Sequence, residues 1–285
     1  MNSKISIILP AKNEAAGLKN ILPLLRDQFP NAEIIVVDDG SVDETNSIAQ
    51  HNSVICISHP YSKGNGAAIK TGARSASGKT LIFMDADGQH KPEDIPLLLE
   101  KLSQGFDMVV GARTQGSQAG VHRAAANGLY NRLASWMVGH RISDLTSGFR
   151  AVKADKFRQF ISLLPNGFSY PTTITMSFFR AGYSVGYVPI FAPKRIGRSH
   201  IRLFRDGARF ILIIFKIGTL YSPLKLFLPI SLAFFMFGLS YYGYTLFAFH
   251  RFTNMSALLF VTSVLIFMIG LVSEQITALM FKDDK

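Results

Sequence analysis

The sequence predicts an α/β fold, a mostly parallel sheet with helices on both faces, followed by an amphipathic interface helix and two transmembrane helices. Three observations predict it. Over the first 110 residues short apolar runs alternate with amphipathic stretches, the pattern of strands joined by helical crossovers. Residues 33–37 are apolar almost throughout, as suits a strand covered on both faces. Near the C-terminus, the 24 residues 226–249 and the 22 residues 252–273 carry no charge. A bilayer core about 30 Å thick is crossed by roughly 20 apolar helical residues. A pair of buried core helices would share that composition.

In order, residues 5–9 read as a strand and 14–29 as a helix with Leu18, Ile21, Leu22 and Leu25 on one face. Pro23 within it predicts a kink. Strands follow at 33–37, 54–58, 80–84 and 107–111, with helices at 43–50, 66–75 and 92–103 between them. Residues 123–137 read as a helix with Leu129, Leu133, Trp136 and Met137 on its apolar side. Residues 200–219 combine basic side chains with Leu203, Phe204, Phe210, Ile211, Ile214 and Phe215, as a helix in the membrane interface would. A linker helix packed on the soluble part would read alike. The expected division is a soluble domain over 1–195, an amphipathic segment over 196–224 and a two-helix anchor over 225–285.

Charge sets an expected orientation. The net charge of +11 is concentrated before the first span, where Lys194, Arg195, Arg198, Arg202, Arg205, Arg209, Lys216 and Lys225 face one acid, Asp206; the inter-span loop carries only Arg251. By the positive-inside rule the large domain and both termini face the cytoplasm. The basic run adjoins a span and holds no recognition motif, so anionic lipid rather than nucleic acid is the expected partner. Residues 5–9 are too short for a signal peptide. A single cysteine, Cys56, excludes an intrachain disulfide and suits a reducing compartment.

The most informative stretch is Asp85-Ala86-Asp87-Gly88-Gln89-His90, which ends the strand at 80–84. Residues i and i+2 of a strand share a face, so the two carboxylates can converge where the strand gives way to a loop. Both stay ionised at close range only around a cation. Oxygen ligands favour Mg²⁺ or Mn²⁺, which keep water and substrate phosphates in their shell. An acidic turn would use the same residues, Asp87-Gly88 being a turn signal. Other polar clusters, Asn13-Glu14, Asp38-Asp39 and Arg113, also follow strands, and α/β sheets bind ligands at strand carboxyl ends. Ser77-Gly78-Lys79-Thr80 resembles the end of a phosphate loop but lies between a helix and a strand, the wrong order.

The ordered set of motifs resembles the polyprenyl-phosphate glycosyltransferases, the dolichol-phosphate mannosyltransferase-like branch of family 2 glycosyltransferases. The motifs are Pro10-Ala11-Lys12-Asn13-Glu14; Val36-Val37-Asp38-Asp39-Gly40-Ser41 with Asp43 and Thr45; Lys63-Gly64-Asn65-Gly66; the Asp85–His90 stretch with Pro92-Glu93; Gly111-Ala112-Arg113; Asp144-Leu145-Thr146-Ser147-Gly148-Phe149-Arg150; and Arg195-Ile196-Gly197-Arg198-Ser199. The resemblance implies a GT-A-like fold, a nucleotide-sugar donor (GDP- or UDP-hexose), a divalent metal, Mg²⁺ or Mn²⁺, and a membrane polyprenyl phosphate acceptor. It implies that Pro10, Glu14, Asp38, Asp39, Lys63, Gly66, Ala86 and Arg195 hold the donor. Asp85, Asp87 and Gln89 would hold metal and diphosphate. Arg113, Arg123, Asn127 and Arg150 would take the acceptor, with Asp144 beside the reaction, on sugar hydroxyls or orienting Arg150. Three positions depart from the family: Lys12 where an aromatic is usual, Asn127 where a serine is common, and His200 where a lysine often stands. The expected reaction is inverting hexosyl transfer. Transfer to another lipid hydroxyl, which would need a base such as Asp144, and a non-catalytic membrane subunit are the alternatives. The sugar, the base, prenol length and oligomeric state have no legible motif.

Overall fold

A computed structural model describes residues 4–114, 121–167, 169–191, 215, 218–219 and 222–280, with the side chains of 121–127 and 280 excepted. It divides into two units, one to Asp206 and one from Gly207. In the first, the elements run β1 (Ile5–Ala11), α1 (Ala15–Gln28), β2 (Glu33–Asp38), α2 (Thr45–His51), β3 (Ile55–Ser58), α3 (Asn65–Ser75), β4 (Thr80–Phe83), a 3₁₀ turn (Pro92–Asp94), α4 (Ile95–Ser103), β5 (Met108–Arg113), α5 (Val121–Val138), β6 (Arg150–Lys153), α6 (Ala154–Gln159), a second 3₁₀ turn (Ile161–Leu163), α7 (Tyr170–Arg180) and β7 (Val185–Ile190).

The seven strands form one sheet in the order β3-β2-β1-β4-β6-β5-β7. All neighbours are parallel except β6, which runs antiparallel between β4 and β5. Alternate residues feed two cores. Ile7, Leu9, Ile34, Val36, Ile82 and Val109 pack with Leu18, Leu22 and Leu25 of α1 and Leu98 of α4. Ile8, Ile35, Val37, Phe83, Met108 and Val110 pack with Ile69 of α3, Phe157 of α6 and Ile174 of α7. Near-continuous apolar strands are what two covered faces require.

The single reversed strand shapes the edge that matters. Parallel strands β1, β2, β4 and β5 deliver their following loops to one end of the sheet. Because β6 is antiparallel, the segment before it arrives at that end; Arg150 pairs with Phe83 at the end of β4 and with Val110 on β5. Residues 144–149 therefore join the strand-end loops.

The expected strands and helices over 5–111 are present with shifted ends. Residues 92–103 are not one helix: the 3₁₀ turn precedes α4, where Pro96 lies in the first turn. Helix α1 runs through Pro23. Donors at its N-terminus are met from the start of α2 and the loop before it, Glu14 N–H by Thr45 Oγ1 at 2.9 Å and Ala15 N–H by Asp43 Oδ2 at 3.2 Å, so Asp43 lies outside α2 and caps α1. The apolar side of α5 differs from expectation. Tyr130, Ala134 and Met137 are buried, while Leu129 and Trp136 are 62% and 50% exposed.

The second unit is a helical hairpin of α8 (Pro223–Phe249) and α9 (Asn254–Met280), each long and apolar enough to cross a bilayer. His250, at φ 51°, ends α8 in the left-handed conformation, and Thr253 Oγ1 accepts the Ser256 N–H at 3.3 Å as α9 begins. The buried residues of α8 include Ser231, Gly238 and Thr245, and those of α9 Ser256, Ser263, Gly270 and Thr277, spaced by seven. Ser231 and Ser263 each donate their hydroxyl to the other's carbonyl at 2.9 Å. Helix α9 extends past the expected end at 273 because Glu274 is used: its Oε2 accepts the Leu224 N–H at the start of α8, at 3.2 Å. The expected amphipathic helix at 200–219 falls almost wholly outside the described residues.

Candidate active site

The loop after β4 is closed on itself. The Asp85 N–H donates to His90 Nδ1 at 3.1 Å, and the Gln89 N–H donates to Asp87 Oδ1 at 3.1 Å. Gly88, at φ 76°, supplies the left-handed turn between them. The loop also leans on α1: a Cβ at Gly17 would stand 1.9 Å from the Ala86 carbonyl oxygen, so only glycine lets the helix approach. Ala86 is buried. His90 is buried and stacks on Phe149, ring centroids 5.0 Å apart and 15° from parallel. Burial pushes its imidazole down to about 4, against the pull of Asp87, so at neutral pH Nδ1 is an acceptor for the Asp85 N–H.

Beside this loop Arg113, at the end of β5, grips Asp144 with a two-bond fork, Nε to Oδ2 at 2.8 Å and Nη2 to Oδ1 at 3.0 Å. Asp144 also accepts the Thr146 and Ser147 N–H groups, each at 3.1 Å. Burial works to raise its carboxyl, and Arg113 outweighs that and holds it below the usual carboxylate range. The carboxylate of Asp144 thus orients Arg113; orienting Arg150 was one of its two expected roles, beside binding sugar hydroxyls. A quarter of the Arg113 side chain stays exposed.

Arg150 lies behind the site. It is 0% exposed and donates to Ser147 O at 2.8 Å, Leu145 O at 3.3 Å and Thr175 Oγ1 at 2.7 Å. An acceptor headgroup cannot reach a guanidinium so enclosed; its place is structural, clamping the 144–150 segment.

On the β1–β3 side, the Asn13 N–H donates to Ser41 Oγ and the Val42 N–H to Asn13 Oδ1, both at 2.9 Å, pinning the loops after β1 and β2 together. Pro10 and Glu14 are half-buried along this seam and Lys12 is exposed. Asp38 is buried and accepts the Ser41 N–H at 2.9 Å. Asp39 is committed inward. Its oxygens take His59 Nδ1 at 2.7 Å and, each at 2.8 Å, the Ser62 hydroxyl and the Lys63 and Gly64 N–H groups. Burial would raise its carboxyl, and these donors hold it below the usual range. Asp39 therefore shapes the loop over 59–64 and leaves the Lys63 side chain at the surface. Gly66 serves close packing, since a Cβ there would stand 2.1 Å from Pro165 O.

Arg195 lies outside the described residues, as do the side chains of Arg123 and Asn127; the backbone places the latter two on α5, one turn apart. Sequence reasoning assigned no role to Gly17, His59, His90 or Gly148. The one available signal was glycine beside the buried stripe of α1 and inside the 144–150 motif.

Among the described residues no three His, Cys, Asp or Glu side chains gather as a metal cage. The sheet edge offers instead Asp85, Asp87 and the amide of Gln89 on one closed loop. A short all-oxygen set fits Mg²⁺ or Mn²⁺, which complete their shells with water and substrate phosphate.

Comparison with known proteins agrees with this layout. The family described as Glycosyl transferase family 2 matches residues 6–161, and the GtrB C-terminal hairpin matches residues 222–279. An undecaprenyl-phosphate mannosyltransferase of Micrococcus luteus is 31% identical over 214 residues, 69% of this chain and 86% of that protein. A polyprenol monophosphomannose synthase of Mycolicibacterium smegmatis is 30% identical over 209 residues, 68% of this chain and 79% of that protein. Glucosyl-3-phosphoglycerate synthase of Mycobacterium tuberculosis, solved with Mn²⁺, uridine diphosphate and glucosyl-3-phosphoglycerate, shares the fold at a TM-score of 0.63 and 21% identity, over 76% of this chain and 80% of that one.

Proposed function

The chain belongs to the family 2 glycosyltransferases, and from that premise we propose that it transfers a hexose, with inversion, from a nucleotide sugar to a membrane polyprenyl phosphate. The observation that carries this reading is the closed Asp85–His90 loop facing the Arg113–Asp144 pair at one sheet edge, in a chain that also holds an apolar helical hairpin. The names of the two polyprenyl relatives support the acceptor class and place mannose first among the hexoses to test.

Asp85, Asp87 and Gln89 would hold the divalent metal, which would supply positive charge against the departing nucleoside diphosphate. The seam of Pro10, Glu14 and Asp38, with Lys63 above it, would seat the nucleoside, and Arg195 would reach the donor phosphates. Arg113, aimed by Asp144, presents its exposed quarter to the acceptor phosphate, with Arg123 and Asn127 on α5 as further contacts. No base is required. A phosphate monoester has its second pKa near ~6 and is already an anionic nucleophile at neutral pH. Transfer to a lipid hydroxyl would need a base, and the commitment of Asp144 to Arg113 disfavours it. The eight basic residues before the first span support a cytoplasmic catalytic domain with both termini on that side.

Membranes bearing the protein, given labelled GDP-mannose, UDP-glucose and related donors with polyprenyl phosphate, test the reading. Label should enter an organic-soluble, acid-labile lipid with at least one donor and should vanish in excess chelator. Failure of every donor, or full activity in chelator, overturns it.

A further inference from the structure

Helix α5 lies in the connection between the two partners of the Arg113–Asp144 fork. Strand β5 ends at Arg113, α5 spans Val121–Val138, and Asp144 follows. One side of α5 is fastened to the segment just before and at Asp144. The Asn131 side chain donates to Ser143 O at 2.9 Å and accepts the Leu145 N–H at 3.0 Å, and Ser135 Oγ accepts the Ile142 N–H at 2.9 Å. Tyr130, Ala134 and Met137 are buried on that side.

The outer side explains why the apolar stripe read from the sequence is split. Leu129, Arg132 and Trp136 stand at i, i+3 and i+7, so they share a face, and all three are exposed; Arg141 is exposed just beyond the helix. From 114 to 143 the chain holds three arginines, Arg123, Arg132 and Arg141, and no aspartate or glutamate. Tryptophan beside arginine suits the level of lipid headgroups, where the ring meets the edge of the hydrocarbon and the guanidinium meets phosphate. Positive charge without acids complements an anionic leaflet. A second copy of this chain fits poorly, because a twofold contact through this face would set its arginines against one another. The chain also continues into a hairpin long and apolar enough to cross a bilayer, which tethers this unit to a lipid surface.

We propose that the outer face of α5 is a membrane-contact surface: Leu129 and Trp136 enter the headgroup layer of an anionic leaflet, and Arg132 and Arg141 bind its phosphates. The contact would hold the Arg113–Asp144 edge near the lipid headgroups. That consequence rests on the proposed polyprenyl acceptor; the contact itself does not.

Trp136 is the only tryptophan in the chain, so its emission reports this face alone. The test reconstitutes the full chain in vesicles of phosphatidylcholine and phosphatidylglycerol, with bromine at defined depths on the acyl chains. Bromine near the headgroup end should quench Trp136 more than bromine near the methyl end. High salt, or Arg132→Glu combined with Arg141→Glu, should weaken the quenching, since the attraction is between surface charges. As a control, Trp136→Phe combined with Ile55→Trp moves the probe to the start of β3, a 46% exposed position at the sheet end away from the strand-end loops, and should abolish the quenching. Trp136 that bromine leaves untouched and acrylamide, added on both sides of the membrane, reaches freely faces water, and the proposal is wrong. Shielding from both quenchers overturns it too, since protein then covers the face, whether a second copy or another part of this chain. So does quenching that the double charge reversal leaves unchanged, or equal quenching of the probe at 55. No substrate enters the test, so failure of the transfer assay and failure of this contact are separate results.

Discussion

The two units of this chain place polar and apolar residues in opposite ways. In the sheet unit large apolar side chains fill both cores, and polar groups gather at one edge or stand buried in satisfied networks. In the hairpin the inward face is Ser, Gly and Thr at seven-residue spacing, while Phe237, Phe247, Leu258 and Leu265 point outward. The solvent explains the reversal. In water, burying large apolar surface drives folding. In lipid that drive between helices is absent, and small residues win because they let backbones approach and hydrogen-bond. Polar side chains accordingly sit differently: gathered in loop networks at the sheet edge, and as small residues that allow close packing in the hairpin.

The largest expected effect tests the first half of that contrast. Asp87→Asn should lower turnover at least ~100-fold, since a metal contributes several kcal/mol to stabilising leaving-group charge. Its melting temperature should stay near wild type, because asparagine keeps the Oδ1 that accepts the Gln89 N–H. A parallel drop in melting temperature would place Asp87 among the structural polar groups.

Thr175→Val asks what a buried polar group in the sheet unit is worth. It removes the oxygen that accepts from Arg150 Nη1, with little change of volume, and leaves that donor the Met108 sulfur at 3.8 Å. A buried donor left so poorly met costs about 1–3 kcal/mol, read from denaturant unfolding. Activity should fall with it if Arg150 holds the 144–150 segment in place.

A smaller effect should follow pH. Burial works to raise the Asp107 carboxyl, but Lys153, Lys156 and Ser184 outweigh it and hold it well below its ordinary 3.8. A folded pKa below the unfolded one adds stability above about 3.8 that is lost as pH falls through the folded value. Asp107→Asn should flatten that acid limb. An unchanged limb would assign acid sensitivity elsewhere, for instance to Asp39.

These contrasts also mark how far the sequence could be read. Strands β1–β5 were legible as short apolar runs between helical stretches, and the Asp85–Asp87 pair because two acids closing such a run have few other uses. The elements between residues 150 and 190 were not. Strand β6 is four residues that open on a buried arginine, β7 carries a glycine and a proline at the sheet edge, and α7 is Thr-rich and buried all round, so it shows no stripe. At the site, residue types suggested which groups matter but not which way they face. Asp39 and Arg150 have the chemistry of ligands, and burial turns both into scaffold. Gly17 acts through an atom it lacks, which no side-chain pattern reveals.

The smallest expected effect lies in the hairpin and sharpens the contrast most. Ser231 and Ser263 exchange hydroxyl donors at 2.9 Å, each to a carbonyl that its own helix can also occupy. Removing one hydroxyl therefore strands no partner, unlike the loss of Thr175, which takes the oxygen acceptor from the Arg150 Nη1 donor. Ser231→Ala keeps the residue small and should cost only about 0.6 kcal/mol, the average for such bonds between membrane helices. Ser231→Leu should cost more, because the helices must separate to admit it, and the added apolar surface gains nothing in lipid. Steric trapping or unfolding in detergent micelles measures both, and transfer activity should be unaffected by the alanine. If leucine at 231 instead stabilises the hairpin, as it would in a water-soluble helical core, the reversed logic of the two units is wrong and α8 and α9 pack as ordinary soluble helices do.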